Sequence, residues 1–532
     1  MVLTRIQRFL ILSLLFAGAL ALRVPRVTNE WPFNFFREVQ LTSALAARNI
    51  WLTHLKSRLS PVEAKWLETR VGRFIEPPVL PALVAGIYAF VGEEIPWVSG
   101  IIAAIFWLAG GFFLFRIARN CLDDELGSCA ALAFFYFTPF GILLSMAFQP
   151  ESLLVLSFLV SVDAMVRRRL DHSWTKVIQV SLLCGFAALA KPGLSLIPVI
   201  STFLILDETT GSKQRVFLTF RRLVFILLTV LPSVLYMIWY ILRTQPSGFA
   251  FDENAFLGSH FTVMYWEHLA LLPTIPAYVK LVVGFGAFGF SALAVGLWAN
   301  RLTRRVFVGL LLGYFANLLV FVHALGDLNA YGLLSSYYHW PLVPLTAIGV
   351  GAGVTYICRC LNWTTLPRKS VLAFGAMAAF AILNLSFPAL GNLARPAVND
   401  LTAYQLINSK IPRGETAVVL SGYLAQDVRF FSWLQTQSWP REMQFRKLIS
   451  EEKYKELAFE LRSTVESLRS KYLVLFIDQR FNTSVELMRQ FETLPKLVNT
   501  TSLIIYDTQS WLTFPTRNQT SQLQVQSGQN GG

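Results

Sequence analysis

The chain has 532 residues, of which 54% are hydrophobic and only 15% are charged. Soluble domains carry about 25% charged residues, so this composition excludes a water-soluble globular protein and predicts a polytopic membrane protein. The net charge of +14 does not indicate nucleic acid as a partner, because Lys and Arg stand in short segments between apolar runs and form no basic-aromatic module.

About eleven apolar runs approach the roughly 20 residues that a helix needs to cross a bilayer. The first follows Arg5 and Arg8 as a signal peptide would, but no small-residue cleavage site follows it, so we interpret it as a span. The predicted spans are residues 7–24, 97–118, 126–146, 150–166, 176–191, 193–207, 222–242, 278–299, 306–323, 338–358 and 370–388.

Residues 77–91 are apolar as well, but we predict that they do not cross the membrane. Segments rich in Lys and Arg alternate with segments poor in them, and the basic ones share one side only if 77–91 does not cross. The positive-inside rule then places the N-terminus in the cytoplasm and the C-terminus outside. Residues 77–91 therefore become an interfacial or re-entrant helix within a first outer loop, residues 25–95.

An amphipathic pattern runs through residues 37–59 of this loop. It predicts a helix in the plane of the membrane interface, with Leu41 and Leu45 toward the membrane. Arg48 would then face water or a ligand.

The composition changes near residue 395. Short apolar runs at 417–424, 472–478 and 502–507 predict strands, and the charged amphipathic segment 451–470 predicts a helix. This alternation predicts a small exoplasmic α/β domain. The predicted division of the chain is a transmembrane domain (1–394), the α/β domain (395–515) and a disordered tail rich in Gln, Ser, Asn and Gly (516–532).

The predicted topology brings polar side chains from distant parts of the sequence to the outer face. Each has a structural interpretation by itself, as a snorkelling cation, a first-turn acid or part of an aromatic belt. Their convergence favours a site, because polar groups at membrane depth are costly. The candidate residues are Arg37, Glu38, Arg73, Glu76, Gln149, Glu151, Lys191, Tyr337, Tyr338 and His339.

A carboxylate beside a basic cavity at the membrane surface suits a lipid-phosphate substrate. Arg and Lys bind the phosphate, and the carboxylate accepts the proton of an acceptor hydroxyl or amine. We predict Glu38 and Glu151 as the catalytic residues and the other eight as substrate-binding or phosphate-binding residues. The leaving group is already a stable phosphate, so a general acid is not required.

Five stretches resemble the GT-C superfamily of polyprenyl-phosphate-sugar-dependent glycosyltransferases, in particular the aminoarabinose transferases of lipid A and the protein O-mannosyltransferases. In chain order they are FREVQLTSALAARN, RFIEPPVLPAL, MAFQPESLLV, LAKPGLSLIPV and SSYYHWPLVP, and the resemblance covers roughly residues 1–390. It implies an inverting glycosyltransferase with a polyprenyl-phosphate sugar as donor and a lipid, glycan or protein as acceptor. The implied location is the inner membrane of a bacterium, with the C-terminal domain periplasmic or extracellular.

The sequence departs from the superfamily pattern at two positions. An Asp-Glu pair is usual in the first outer loop, and the chain has Arg37-Glu38, so Glu38 is the match. A Glu-Lys-Pro-Pro motif is frequent, and the chain has Glu76-Pro77-Pro78 without the Lys that contacts the lipid phosphate. Arg73 or Lys191 can supply that contact, and Glu151 matches the second acid.

Two other functions stay open at this stage. A transporter or flippase of lipid-linked material would show internal repeats and polar residues at mid-membrane depth, whereas the charges here stand at the outer ends. A non-catalytic scaffold would tolerate the change Glu38→Gln. We expect no cofactor; a divalent cation bound by Glu38, Glu76 and Glu151 ranks below a metal-free reaction.

Overall fold

The computed structural model describes residues 4–29, 37–55, 58–68, 77–168, 173–207, 215–244, 295–298, 300–320, 336–360, 398–420, 425–438, 454–476, 491–500 and 502–513. The chain divides into two compact units. We call residues 1–36, 74–87 and 93–395 the membrane unit, and residues 37–73, 88–92 and 396–532 the sheet unit. The early segment 37–73 is thus grouped with the C-terminal part of the chain.

Up to residue 360 the described secondary structure is helical, and a short 3-10 helix (Ser336–His339) precedes its last α-helix. The α-helices are α1 (Arg5–Asn29), α2 (Arg37–His54), α3 (Pro61–Glu68), α4 (Val79–Val91), α5 (Val98–Leu122), α6 (Glu125–Phe137), α7 (Pro139–Leu144), α8 (Glu151–Arg168), α9 (Trp174–Ala188), α10 (Pro192–Leu206), α11 (Arg215–Thr244), α12 (Arg301–Val320) and α13 (Leu342–Cys360).

Five described helical segments are long and apolar enough to cross a membrane, and each coincides with a predicted span. They are Arg5–Val24, Val98–Leu122, Phe220–Tyr240, Arg301–Val320 and Leu342–Cys360. Shorter apolar helices lie at Glu125–Phe137, Trp174–Ala188 and Leu194–Leu206, and each overlaps another predicted span. The prediction at 370–388 and most of that at 278–299 lie outside the described residues, so the total of eleven spans stays a prediction.

Helix α4 agrees with the interpretation of residues 77–91 as a segment that does not cross. Its 13 residues extend about 20 Å at 1.5 Å per residue, whereas the hydrocarbon core of a bilayer is about 30 Å thick. Helix α4 is therefore short for a straight span, but α6 has the same length and lies in a predicted span, so the path of residues 77–91 stays a prediction.

The predicted span 126–146 is interrupted, in contrast to the expected single helix. Helix α6 ends at Phe137, and α7 starts at Pro139 after Thr138 adopts an extended conformation with ψ 130°. Proline lacks an N–H and disfavours a helical conformation in the residue before it, so Pro139 starts a new helix. Hydrophobicity does not detect this break because both helices are apolar.

Helix α2 is present as predicted, but the predicted exposure of its faces is wrong. Leu41 is 0% exposed and Leu45 is 3% exposed, so protein covers both, and Arg48 is only 1% exposed. Three aromatic rings of the sheet unit surround the Arg48 guanidinium. The amphipathic pattern predicts that the apolar face of α2 contacts the membrane, whereas in the structure this face packs against protein.

A five-stranded mixed sheet forms the centre of the sheet unit, in the order β2-β1-β3-β5-β4. Strand β1 pairs in parallel with β2 and β3, and β5 pairs antiparallel with β3 and β4. In chain order the elements are α14 (Val398–Lys410), β1 (Thr416–Leu420), α15 (Gln426–Ser432), β2 (Gln435–Ser438), α16 (Tyr454–Leu468), β3 (Tyr472–Phe476), β4 (Lys496–Asn499), β5 (Leu503–Asp507) and α17 (Gln509–Thr513).

Both faces of this sheet are covered. On one face, Val418 and Leu473 pack with Leu461 of α16; on the other, Val419 and Val474 pack with α14 and α15. Neighbouring strand residues point to opposite faces, which is why the central strands are continuous apolar runs. The predicted strands at β1, β3 and β5 and the predicted helix at α16 are confirmed.

Candidate functional site

Two proline-containing turns in the membrane unit each place a charged side chain at the start of a helix. Helix α8 begins at Glu151, directly after Pro150, and α10 begins at Pro192, directly after Lys191. Proline is tolerated in the first turn, where its missing N–H would have no intrahelical acceptor. A carboxylate in the first turn also interacts favourably with the helix dipole. Local chain chemistry therefore explains why both residues stand at helix ends.

The two charged groups form a buried ion pair. The Lys191 ammonium donates a hydrogen bond of 2.6 Å to Oε1 of Glu151, and their side chains are 8% and 0% exposed. Removing both charges from water has a cost that the attraction between them offsets only with good geometry. A buried pair is thus poor evidence for a stabilising role, and within a membrane protein it points to function.

Polar atoms beside this pair lack partners among the described residues. Gln149 and Glu151 are both 0% exposed. Neither the oxygen nor the nitrogen of the Gln149 carboxamide has a hydrogen-bond partner, and the same holds for Oε2 of Glu151. Each unsatisfied group of this kind costs about 1–3 kcal/mol. Such groups persist where a ligand or a reacting molecule supplies the missing bonds.

The 3-10 helix before α13 brings two more predicted residues to this place. The Lys191 ammonium nitrogen lies 5.8 Å from the centroid of the Tyr338 ring. His339 follows directly, is 0% exposed, and its Nδ1 is 2.7 Å from the Tyr314 hydroxyl. Lys191 and Tyr338 are therefore in contact, and His339, the next residue, connects this group to Tyr314.

Two residues of α12 belong to the same group, and sequence reasoning missed both. Tyr314 contacts His339, and Asn317 lies three residues further along the same helix face. The Asn317 amide donates a long bond of 3.5 Å to the carbonyl of Leu194, in the first turn of α10 after Lys191. Oδ1 of Asn317 has no partner among the described residues, although the side chain is buried.

The contact of Asn317 thus reaches the first turn of α10, which directly follows Lys191. We call the group the polar cluster; its members are Gln149, Glu151, Lys191, Tyr314, Asn317, Tyr338 and His339. An Asn and a Tyr inside an apolar helical run were the only sequence signal for the contribution of α12.

The family described as dolichyl-phosphate-mannose-protein mannosyltransferase matches residues 75–236. This range contains Gln149, Glu151 and Lys191 of the polar cluster. No curated protein matches the chain in sequence.

Solved structures resemble almost the whole chain. ArnT from Cupriavidus metallidurans, bound to undecaprenyl phosphate, has a TM-score of 0.57 at 14% identity, over 95% of this chain and 99% of that chain. The archaeal oligosaccharyltransferase AglB from Archaeoglobus fulgidus, in complex with an inhibitory peptide and a dolichol-phosphate, has a TM-score of 0.57 at 12% identity, over 96% and 75%. This chain has the GT-C fold. The predicted GT-C-like membrane fold is confirmed, whereas the number of spans and the exoplasmic position of the C-terminal domain stay predictions.

The other predicted site residues are not placed by the structure. Arg37 and Glu38 occupy the first turn of α2, but their side chains lie outside the described residues. The same holds for the side chain of Tyr337, and Arg73 and Glu76 lie entirely outside. Their roles in a GT-C site stay predictions.

The predicted alternative of a divalent cation also stays open. The described part of the chain contains no group of three His, Cys, Asp or Glu residues that could bind a metal ion. Of the three acids proposed for such a site, only Glu151 has a described side chain. It faces Lys191, which is an unfavourable neighbour for a cation.

A second group of buried charges lies at the opposite ends of α8 and α10. Asp207, which follows α10, has Arg168, Arg221 and Arg222 within 4 Å, the Arg168 contact being 3.4 Å and the Arg222 contact 3.6 Å. Arg168 is the last residue of α8. Both helices thus run from the polar cluster to this second group.

Two further acids near this end are paired with arginines from the predicted basic segments. Asp163 has Arg167 at 2.9 Å and Arg116 at 3.3 Å. Glu125 is paired with Arg8 and lies 3.6 Å from Arg119. Basic segments that are far apart in sequence therefore meet at shared carboxylates. We call Glu125, Asp163, Asp207 and these seven arginines the arginine end.

Proposed function

We propose that the protein is a membrane glycosyltransferase that moves a monosaccharide from a polyprenyl-phosphate donor to an acceptor at the outer face. The observation that carries this proposal is the buried Glu151–Lys191 pair beside Gln149, whose polar atoms lack partners among the described residues. Support comes from the GT-C fold, because similar solved structures bind undecaprenyl phosphate or a dolichol-phosphate.

Lys191 is assigned to the donor phosphate. An ammonium is a compact positive charge that suits a phosphate oxygen, and in a buried site the attraction is stronger than in water. Glu151 orients the ammonium through the bond of 2.6 Å, and Tyr338 covers it from a second direction. This assignment supplies the cation that is missing from the Glu76-Pro77-Pro78 motif.

The sugar is assigned to the polar atoms that have no other partner. Oε2 of Glu151 accepts a hydrogen bond from a sugar hydroxyl, and the Gln149 carboxamide both donates and accepts. Asn317 offers the same capacity through Oδ1. A site built in this way discriminates between sugars, because a sugar without the matching hydroxyl leaves a buried group unsatisfied.

The transfer is a single displacement. An oxygen or nitrogen of the acceptor forms a bond to the anomeric carbon while the bond from that carbon to the phosphate oxygen breaks. Polyprenyl phosphate leaves, and Glu38 accepts the acceptor's proton as general base. Attack opposite to the leaving group inverts the anomeric configuration. The acceptor class is a lipid, a glycan or a protein.

Reconstitution into lipid vesicles with labelled polyprenyl-phosphate sugars tests this function. The measured quantities are transfer to a membrane extract and release of polyprenyl phosphate. Wild type is expected to show both, whereas Glu38→Gln and Lys191→Met lower them at least hundredfold. Glu93→Gln and Lys176→Met change exposed residues of the same types and serve as matched controls.

The same vesicles separate the proposed function from its main competitor. Movement of the intact donor lipid between the leaflets, without release of polyprenyl phosphate from any donor, would indicate a flippase. That result would overturn the glycosyltransferase assignment.

A further inference from the structure

Arg48 of α2 lies in an aromatic cage within the sheet unit. Its guanidinium carbon is 4.0 Å from the centroid of the Trp433 ring and 4.2 Å from that of Phe430. The Trp66 ring lies at 5.3 Å. Nη1 of Arg48 also donates a hydrogen bond of 3.0 Å to the backbone carbonyl of Phe430. We call Arg48, Trp66, Phe430 and Trp433 the Arg48 cage.

The cage joins segments that are almost 400 residues apart in sequence. Phe430 belongs to α15, and Trp433 follows that helix directly. A cation over an aromatic face within about 6 Å is attracted by the ring, by about 2 kcal/mol or more when the pair is desolvated. Arg48 is 1% exposed, so α2 is strongly fixed against α15.

A second contact fixes α2 nearer to its start. The Thr42 hydroxyl donates a bond of 2.7 Å to Oε1 of Gln426, the first residue of α15. Thr42 lies one helical turn after Glu38. The two contacts, at Thr42 and at Arg48, therefore align the two helices along their lengths.

Helix α3 is attached to the same place. The Trp66 and Trp433 rings lie 5.8 Å apart. The side-chain amide of Gln435 donates a bond of 2.7 Å to the backbone carbonyl of Lys65. The early segment thus contacts both α15 and β2.

The backbone around α15 is strained in a way that supports these contacts. Ala425 before it has φ 58°, and Trp433 after it has φ 53°. A residue other than Gly pays about 1–2 kcal/mol for the left-handed conformation. Trp433, which has this backbone conformation, is also the residue whose ring contacts both Arg48 and Trp66. Strain that the surrounding structure maintains is a mark of a functional position.

The charges in the cage do not favour a purely stabilising role. A second cation also contacts Trp66: the guanidinium carbon of Arg429 lies 5.5 Å from the centroid of the Trp66 ring. Burial and, to a smaller extent, the positive charge of the nearby Arg48 together lower the pKa of Arg429 to about 10. The buried Arg48 and the half-buried Arg429 repel each other beside one ring, and an apolar side chain would fill the space at less cost.

We propose that Arg48 and Thr42 are positioning residues, which fasten α2 to α15 and so hold the first turn of α2, with Glu38, in its working place. The inference rests on the proposed function, because Glu38 is the assigned base. Glu38 and Arg48 lie on one continuous helix, about 15 Å apart along its axis. A helix transmits a displacement at one end to the other, and a shift of about 1 Å at a reacting group can lower the rate about hundredfold.

Two variants with matched controls test the inference. Arg48→Met removes the cation from the cage, and Thr42→Val removes the hydrogen bond at nearly constant volume. Arg413→Met and Thr53→Val change exposed residues of the same types in the same unit. Thr42→Ser keeps the hydroxyl and should restore the wild-type behaviour.

We expect kcat for sugar transfer to fall about tenfold to hundredfold in Arg48→Met and less in Thr42→Val, with KM for the donor within about twofold of wild type. A merely structural role would instead lower the yield of folded protein and leave the kcat of the folded fraction unchanged. Should Arg48→Met fail to fold, the pair Thr42→Val and Thr42→Ser decides the question.

Hydrogen exchange of the α2 amides provides a readout that does not depend on catalysis. Faster exchange of the first turns of α2 in Arg48→Met and Thr42→Val, with slow exchange in the controls, supports the inference. Unchanged exchange in both variants overturns it, whatever the transfer assay shows. If the wild-type protein transfers no sugar but the two variants still show faster exchange than the controls, the proposed function is contradicted. The attachment of α2 to α15 would then still be established.

Discussion

Buried carboxylates lie near both ends of α8, and their surroundings differ. At the arginine end, Asp163 has two arginines within 4 Å and Asp207 has three. At the other end, Glu151 has one lysine, and Gln149 beside it has no side-chain partner among the described residues. The two ends therefore differ in charge: the arginine end has excess positive charge, whereas the Glu151–Lys191 pair is neutral. Buried polar atoms without a hydrogen-bond partner among the described residues occur at both ends, including oxygens of Asp163 and Asp207.

This difference separates two uses of buried charge. Several arginines around one acid leave a net positive charge, as the positive-inside rule predicts for a cytoplasmic end. A neutral pair with unsatisfied neighbours has capacity for a further ligand. We therefore expect changes at the arginine end to affect stability, and changes in the polar cluster to affect activity.

The strongest test of this comparison is Glu151→Gln. The amide oxygen can still accept a bond from Lys191, so we expect the midpoint of thermal unfolding in detergent to change little. Release of polyprenyl phosphate should fall at least hundredfold, because the charge that orients Lys191 is lost. Activity and unfolding are measured on the same preparation, and a variant with full activity would contradict the role of the cluster.

Asp207→Asn should show the opposite behaviour. It removes the only negative charge among Asp207, Arg168, Arg221 and Arg222, and breaking a buried ion pair in this way costs about 3–5 kcal/mol. We expect a clearly lower unfolding midpoint, with kcat of the remaining folded protein close to that of wild type. A large loss of kcat at unchanged stability would show that the two ends of α8 do not differ in the way proposed.

Gln149→Leu tests the unsatisfied polar atoms directly. An apolar side chain of similar size removes two buried groups without partners, so we expect the protein to become more stable by about 1–3 kcal/mol. Activity should decrease, since the sugar loses its contacts with the carboxamide. We therefore expect a higher unfolding midpoint together with a lower rate of sugar transfer. A less stable variant would indicate that the Gln149 carboxamide has hydrogen-bond partners within the folded protein.

The smallest expected effect is that of Arg8→Met. The Arg8 side chain is 25% exposed, and Arg119 stays 3.6 Å from Glu125 when Arg8 is removed. A partly exposed pair contributes below about 1 kcal/mol. Chemical or thermal unfolding should therefore shift only slightly, and a shift as large as that of Asp207→Asn would show that the acids of the arginine end are not alike.

Some structural features could not be predicted because they depend on partners distant in sequence. Strands β2 and β4, with the sequences QTQS and KLVN, are short edge strands without an apolar pattern, and they are defined only by pairing with β1 and β5. The sequence predicts that Arg48 faces water or a ligand, because a charged residue on an amphipathic helix usually lies on the polar face. Its aromatic partners come from residues near 430, which no local pattern connects to α2.

The sequence by itself determined the membrane class, the approximate positions of the described spans and the three apolar strands β1, β3 and β5. These follow from hydrophobicity, which is a local property, and from the alternation of basic segments, which orders the helix ends. Only the tertiary structure decided that Tyr314 and Asn317 join the polar cluster, that single acids bind several arginines, and that α2 packs on α15. The reason is that such contacts depend on which helix faces meet, and one sequence does not specify the rotation of each helix about its axis.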